Sequence, residues 1–199
     1  MKCRLLSKTL LFGLLLLLGS GTLFGQTVKT IKTDIFEVEY SEELEQPLYV
    51  FYKVLCPNGE ASRSGLDFVL YEGVNTSNDE DYINNIWDKG HLAPAGAFNC
   101  DRETLKSTFN YLNCALQHQS LNRGPWRELE EFEKNLSKFY DSVIVSVECH
   151  FSKNSIKLPT GATVPDGFTK IIKWDGREEC FYFPNDDVKG INWIEFRIN

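Results

Sequence analysis

Asp88-Lys89-Gly90-His91-Leu92-Ala93-Pro94, followed by Tyr111-Leu112-Asn113-Cys114-Ala115-Leu116-Gln117-His118-Gln119-Ser120-Leu121-Asn122-Arg123-Gly124-Pro125-Trp126-Arg127-Glu128-Leu129-Glu130, are the two stretches on which the fold turns. The first holds one of the three histidines of the chain in a short segment bounded by Gly90 and Pro94. The second leads into the clearest helix, expected from about Asn122 to Tyr140. Pro125 falls in its first turn, where no amide hydrogen is needed, and Glu128, Glu130 and Glu131 come early, where the helix dipole favours negative charge. Trp126, Leu129, Phe132, Leu136 and Phe139 recur at steps of three and four, which predicts one buried stripe.

Outward from these stretches the chain alternates between strand and turn signals. Leu48 to Leu55 is apolar, aromatic and β-branched and stops at Pro57-Asn58-Gly59, so it reads as a central strand. Val143 to Val147, Thr169 to Trp174 and Cys180 to Phe183 read as further strands, the last two joined around Asp175-Gly176. Asn75 to Asn85 reads as an exposed loop, and Asp101 as the cap of a helix over Arg102 to Leu112. With no repeats, low-complexity tracts or linker, the chain predicts a single α+β domain, a mixed or antiparallel sheet with helices.

In order and spacing, Asp88, Gly90, His91 and Pro94, together with Asn113, Gln117, Leu121, Asn122, Trp126 and Glu130, make a two-part motif. It resembles that of the DNA/RNA non-specific endonuclease family, whose pattern is Asp-Arg-Gly-His followed by an Asn-rich segment and a helix bearing Trp and Glu. The likeness extends from about Tyr49 to the C-terminus, through Lys157-Leu158-Pro159, Val164-Pro165, Phe168 with Lys170, and Phe196-Arg197. It implies a ββα-metal active site, DNA and RNA as substrates, 5′-phosphate products, and Mg²⁺ or a similar divalent ion such as Mn²⁺. Lys89 stands where the family has Arg, and Cys149-His150 stands where Gly-Pro is common.

The chemistry required is consistent with those residues. Phosphodiester hydrolysis needs an activated water, relief of charge on the transition state and help for the leaving oxygen. A neutral imidazole accepts a proton near neutral pH, so His91 is the candidate general base. The carboxamide oxygen of Asn122 is a hard ligand suited to Mg²⁺. Glu130 lies eight residues further, slightly over two helical turns, where it can share the face of Asn122 and hold metal-bound water. Arg63 and Lys89 are candidates to neutralise phosphate, although a lysine lacks the planar two-donor fork of arginine. Asn113 is expected to support the site by touching substrate or by holding its loop. Asp88, three residues from His91 along an extended chain, should point to the opposite face and play a structural part.

Composition limits the alternatives. The 199 residues carry 21 basic and 28 acidic side chains, a net charge of −7. That is the wrong global sign for a tight nucleic-acid binder, whereas an enzyme needs only a locally positive cleft. Residues 1–25 have a basic start and an apolar run from Leu10 to Leu18, and read as a signal peptide. The expected mature domain, residues 26–199, would then be secreted or periplasmic, free of membrane, and compatible with a homodimer. No companion inhibitor follows from the chain. Five cysteines follow the leader, none in a Cys-x-x-Cys pair, which argues against structural zinc; Cys149 with Cys180 is the favoured disulfide. A second function class is a secreted nucleic-acid-binding protein on a catalytically weakened scaffold, suggested by Lys89 and the close of the chain at Asn199; the joint presence of His91, Asn122 and Glu130 opposes it. A third keeps hydrolysis but takes a small phosphodiester.

Overall fold

The computed structural model describes residues 28–198, so the leader expected over residues 1–25 lies outside the described residues. Strands Val28–Lys32 (β1), Phe36–Ser41 (β2), Gln46–Lys53 (β3), Val143–His150 (β6), Gly167–Trp174 (β7) and Arg177–Pro184 (β8) form an antiparallel sheet in the order β1-β2-β3-β6-β7-β8. Trp87–His91 (β4) and Cys114–His118 (β5) pair antiparallel in a separate two-stranded sheet. Helices Arg102–Lys106 (α1), Gln119–Leu121 (α2) and Arg127–Leu136 (α3) complete the α+β architecture. The succession β4, β5, α3 is the ββα arrangement.

Alternation along the strands explains the layers. Val38 and Tyr40 on β2, Val50 and Tyr52 on β3, Val145 and Val147 on β6, Phe168 and Ile172 on β7, and Phe181 and Phe183 on β8 are all buried on one face of the large sheet. Against them pack Leu92, Phe98, Leu121, Trp126 and Leu129, in one continuous core. Each such Leu or Phe contributes about 1.5–3 kcal/mol on burial, so this core anchors the small sheet and α3 to the large one. Asp175 and Gly176 both have positive φ, 47° and 70°, which gives the tight β7–β8 hairpin its twist-compatible turn.

Several expectations need correction. The helix does not begin regularly at Asn122. Residues Asn122–Trp126 form a widened π-type turn, with Gly124 at φ −110° and ψ −115°, before α3 starts at Arg127. Pro125 has no amide hydrogen and its ring crowds the preceding turn, so the helical ladder opens there. Leu129 is buried and Phe132 and Leu136 pack on the core, but α3 stops at Leu136 and leaves Phe139 82% exposed. Asp101 does cap a helix, accepting from the Thr104 amide at 2.8 Å, but that helix has one turn and not three. The loop expected over Asn75 to Asn85 is anchored: Thr76, Ser77 and Asp81 are buried, and Asn78 and Asp81 form a capping box around the short helix Asp79–Tyr82.

A disulfide joins Cys56 to Cys100, with Cα atoms 5.1 Å apart, and Cys149 is a buried free thiol, so the expected bond between Cys149 and Cys180 does not form. Strand character in the second half of the chain was a poor guide to pairing, because the cross-link depends on which loops meet in space. The bond closes a separation of 44 residues between the turn after β3 and the segment following β4. Cys56→Ser combined with Cys100→Ser should therefore lower unfolding free energy by about 2–4 kcal/mol. Urea denaturation of the two proteins measures this, and an unchanged midpoint would contradict it. Among the described residues no helix is long and apolar enough to cross a membrane.

Candidate active site

A cleft of about 610 Å³ opens where β4, α3 and the loops around residues 61–68 and 94–99 meet. Strand alternation sends Lys89 and His91 from β4 into it and Asp88 away from it, as the extended reading of that segment requires. Asn122, in the widened turn, and Glu130, on α3, line the same cleft, as does Arg63 from the loop after β3. Among its lining side chains are five basic residues, Arg63, Lys89, Arg123, Arg127 and Lys134, and three acidic ones, Asp67, Glu130 and Glu131. A locally positive site thus sits in an acidic protein.

His91 is wedged between two aromatic rings, Phe68 at 4.6 Å and Phe109 at 4.7 Å between centroids. Its Nε2 is shielded from solvent and has no hydrogen-bond partner. Burial, with a smaller push from Arg63, drives its pKa down to about 3, so the ring is neutral and its basic lone pair is unengaged. The sign has a consequence for pH. The unfolded chain takes up this proton near pH 6.5 and the folded chain does not, so the contribution of neutral His91 to stability is complete above about 6.5 and is lost as pH falls toward 3. Catalytically, the acid limb of a pH–rate profile assigned to His91 should lie below about pH 5 and not near the ordinary histidine value. A limb centred near 6.5, abolished in His91→Ala, would refute this environment for the ring.

Asn122 is oriented by Asp88. Its Nδ2 donates to Asp88 Oδ2 at 2.9 Å, and Arg123 grips the same carboxylate through Nε at 2.8 Å and Nη2 at 2.6 Å. Burial acts to raise the Asp88 pKa, but the hydrogen bonds from Arg123 and Asn122 carry it below the usual carboxylate value. With Nδ2 committed, the carboxamide oxygen of Asn122 makes no hydrogen bond among the described residues, and that is the atom a hard cation takes. Gly90 permits the close packing beneath: a Cβ there would stand 2.4 Å from Gln117 Oε1 and 2.7 Å from Gln117 Cβ. Burial raises Glu130 to about 8, with Lys170 opposing the rise and Glu133 adding to it. Such a carboxyl is one that a nearby dication would ionise. No group of three or more His, Cys, Asp and Glu converges among the described residues. These oxygen donors fit a hard divalent cation.

A family profile described as DNA/RNA non-specific endonuclease matches residues 18–199. The chain belongs to the DNA/RNA non-specific endonuclease family. It is 35% identical over 92 residues to the mitochondrial nuclease EXOG of Danio rerio, 44% of this chain and 27% of that protein. It is 31% identical over 90 residues to the mitochondrial endonuclease G of Bos taurus, 44% of this chain and 30% of that protein. A mitochondrial nuclease of Saccharomyces cerevisiae is 31% identical over 132 residues, 54% of this chain and 40% of that protein. The chain thus spans less than half the length of each of these relatives. A crystal structure of the EndoG/EndoGI complex, described as showing the mechanism of EndoG inhibition, shares the fold at a TM-score of 0.76 and 23% identity, covering 85% of this chain and 80% of that one. Export to the periplasm or medium is corrected by the same relatives, which are named as mitochondrial. An acid-free, basic and apolar N-terminus is a feature that different targeting segments share, and so it did not discriminate between them.

Seen as an endonuclease-family site, the cleft divides the expected residues. His91, Asn122, Glu130 and Arg63 come together in it. Asn113 does not: it is fully buried, accepts from the Ala93 amide at 2.7 Å and donates to the carbonyls of Ala93 and Thr108 at 2.9 and 3.0 Å. All its capacity goes to pinning the chain two residues after His91, so of its two expected roles it fills loop holding. Lys89 lines the cleft but is claimed by Asp67 at 2.9 Å and Asp79 at 2.5 Å. Among the described residues Arg63, Arg127 and Lys134 have no carboxylate within salt-bridge distance; Lys134 makes only long hydrogen bonds to Gly59 O and Asn99 Oδ1, at 3.4 and 3.3 Å, so these three, more than Lys89, are available to meet phosphate. Sequence reasoning missed Asp67, Asp79, Phe68 and Phe109, which come from loops whose approach to β4 no local pattern encodes.

Proposed function

We propose that this cleft hydrolyses phosphodiester bonds of DNA and RNA without reading base sequence, leaving 5′-phosphate ends. The observation that carries the proposal is the neutral, unpartnered Nε2 of His91 in the same cleft as Asn122 and Glu130. His91 removes a proton from the attacking water, a step for which its imidazole is neutral and its Nε2 is tied to no protein group. Asn122, held by Asp88, and Glu130 are the residues that would hold a divalent cation, Mg²⁺ or Mn²⁺, Asn122 directly and Glu130 through water. When bound, such an ion supplies charge relief at the phosphoryl oxygens. Arg63, Arg127 and Lys134 orient the backbone of the substrate electrostatically, and contacts to phosphate carry no sequence information.

Supercoiled plasmid and total RNA incubated with the full chain should be degraded in Mg²⁺ or Mn²⁺ and left intact in EDTA. Cleavage that persists in EDTA would remove the metal from the proposal. Binding without cleavage in every metal tested would favour the weakened nucleic-acid-binding scaffold instead. End-labelling of the products distinguishes 5′-phosphate from 5′-hydroxyl termini.

A further inference from the structure

Behind the cleft lies a charged group that none of these roles uses. Lys170 on β7 and Glu133 on α3 are fully buried and ion-paired at 2.8 Å, and Tyr52 on β3 donates to the second carboxylate oxygen at 2.6 Å. Withdrawing two charges from water is expensive, and replacing such a pair by apolar side chains of similar volume is often neutral or stabilising. Stability alone therefore gives no reason for these residue types at these positions.

The geometry gives one. The Lys170 ammonium lies 4.1 Å from the centroid of the Trp126 ring, a cation–π contact between two fully buried side chains. Phe168 and Phe183 close on the same indole at 5.4 and 5.5 Å between centroids. So clamped, Trp126 directs its N–H to the backbone carbonyl of His91 at 3.3 Å. Trp126 also ends the widened turn that begins with Asn122. One side chain thus touches the backbone of His91 and closes the turn that carries Asn122, two of the three residues assigned to hydrolysis.

We infer that Lys170, held by Glu133 and Tyr52, is a positioning residue of the hydrolytic site: it fixes the Trp126 indole, and through it the backbone that carries His91. The inference rests on the proposed role of His91, and its test separates the two.

Lys170→Met combined with Glu133→Gln removes both charges, keeps the volumes and leaves Tyr52 an acceptor. The double variant should fold with a melting temperature close to that of the parent. Its kcat should fall by about ten- to a hundredfold, as expected when reacting groups are displaced by about an ångström, with KM for DNA changed by less than about twofold because neither residue touches substrate. Trp126→Phe keeps an aromatic face, smaller than the indole, but lacks the N–H, and should lower kcat similarly. The triple variant should be no worse than Trp126→Phe alone, since both changes break the same chain of contacts. Losses that multiply, or a parental kcat in Trp126→Phe, would overturn the inference, and the second result decides even if the double variant does not fold. A readout without turnover is the ¹H–¹⁵N correlation of the His91 imidazole, which should shift in the double variant and in Trp126→Phe. Unchanged His91 signals overturn the positioning role. Shifted signals in a parent protein that cuts no nucleic acid would support it while removing the nuclease reading.

Discussion

His91→Ala is expected to lower nuclease turnover by about 10²- to 10⁴-fold, the span general-base catalysis supplies, while the protein folds as before. The two halves of this expectation come from the same feature. His91 Nε2 has no hydrogen-bond partner and is shielded from solvent, so removing it breaks no bond at that atom and takes away a desolvated polar group. The stability lost is the packing of the ring between Phe68 and Phe109, a modest part of the whole. Plasmid relaxation with and without the substitution, alongside near-UV circular dichroism, checks both halves. Activity within tenfold of the parent would mean that another group activates water.

Asn122→Ala should be nearly as damaging, for a different reason. In the proposed function the carboxamide would supply the direct protein ligand for the cation, and its Nδ2 makes the contact through which Asp88 orients it. Lewis-acid stabilisation at a phosphoryl oxygen is worth several kcal/mol, and each 1.36 kcal/mol is about tenfold in rate. A fall of about two to three orders of magnitude at millimolar Mg²⁺ is therefore expected, with partial recovery as Mg²⁺ is raised. Asp88→Asn should lose less, because the amide can still meet Asn122 while the grip of Arg123 weakens. Metal titrations of the three proteins give the comparison. An Asn122→Ala variant with parental activity at low Mg²⁺ would remove the residue from the metal site.

Legibility differed by the range of the interactions involved. Strands β6, β7 and β8 were readable because their alternation and their turns are local, as with Asp175-Gly176. β1, β2 and β5 were not read: Phe36 to Ser41 carries a local alternation that was passed over, Val28 to Lys32 is a short and largely exposed edge strand, and Cys114 to His118 is short and buried throughout. The helix behind the site was visible in its stripe but misjudged at both ends, because Pro125 opens the ladder and nothing in the core reaches Phe139. Lys89 and Asn113 show the same limit in the site: their residue types allow a catalytic role, and only the arrival of Asp67, Asp79, Ala93 and Thr108 decides how they are used.

By itself the sequence determined the family and the α+β class and nominated candidate groups for hydrolysis, because residue type and spacing along β4 and α3 are properties of a local chain. The tertiary structure decided the rest: that two phenylalanines strip water from His91, that Lys89 is neutralised by two aspartates, that Asp88 reaches across to Asn122, that Cys56 meets Cys100, and that a lysine and a glutamate lie buried behind the indole of Trp126. Each of these depends on segments far apart in the chain being brought within a few ångströms. Desolvation and pairing, which set the charge and direction of a side chain, exist only once the core has closed.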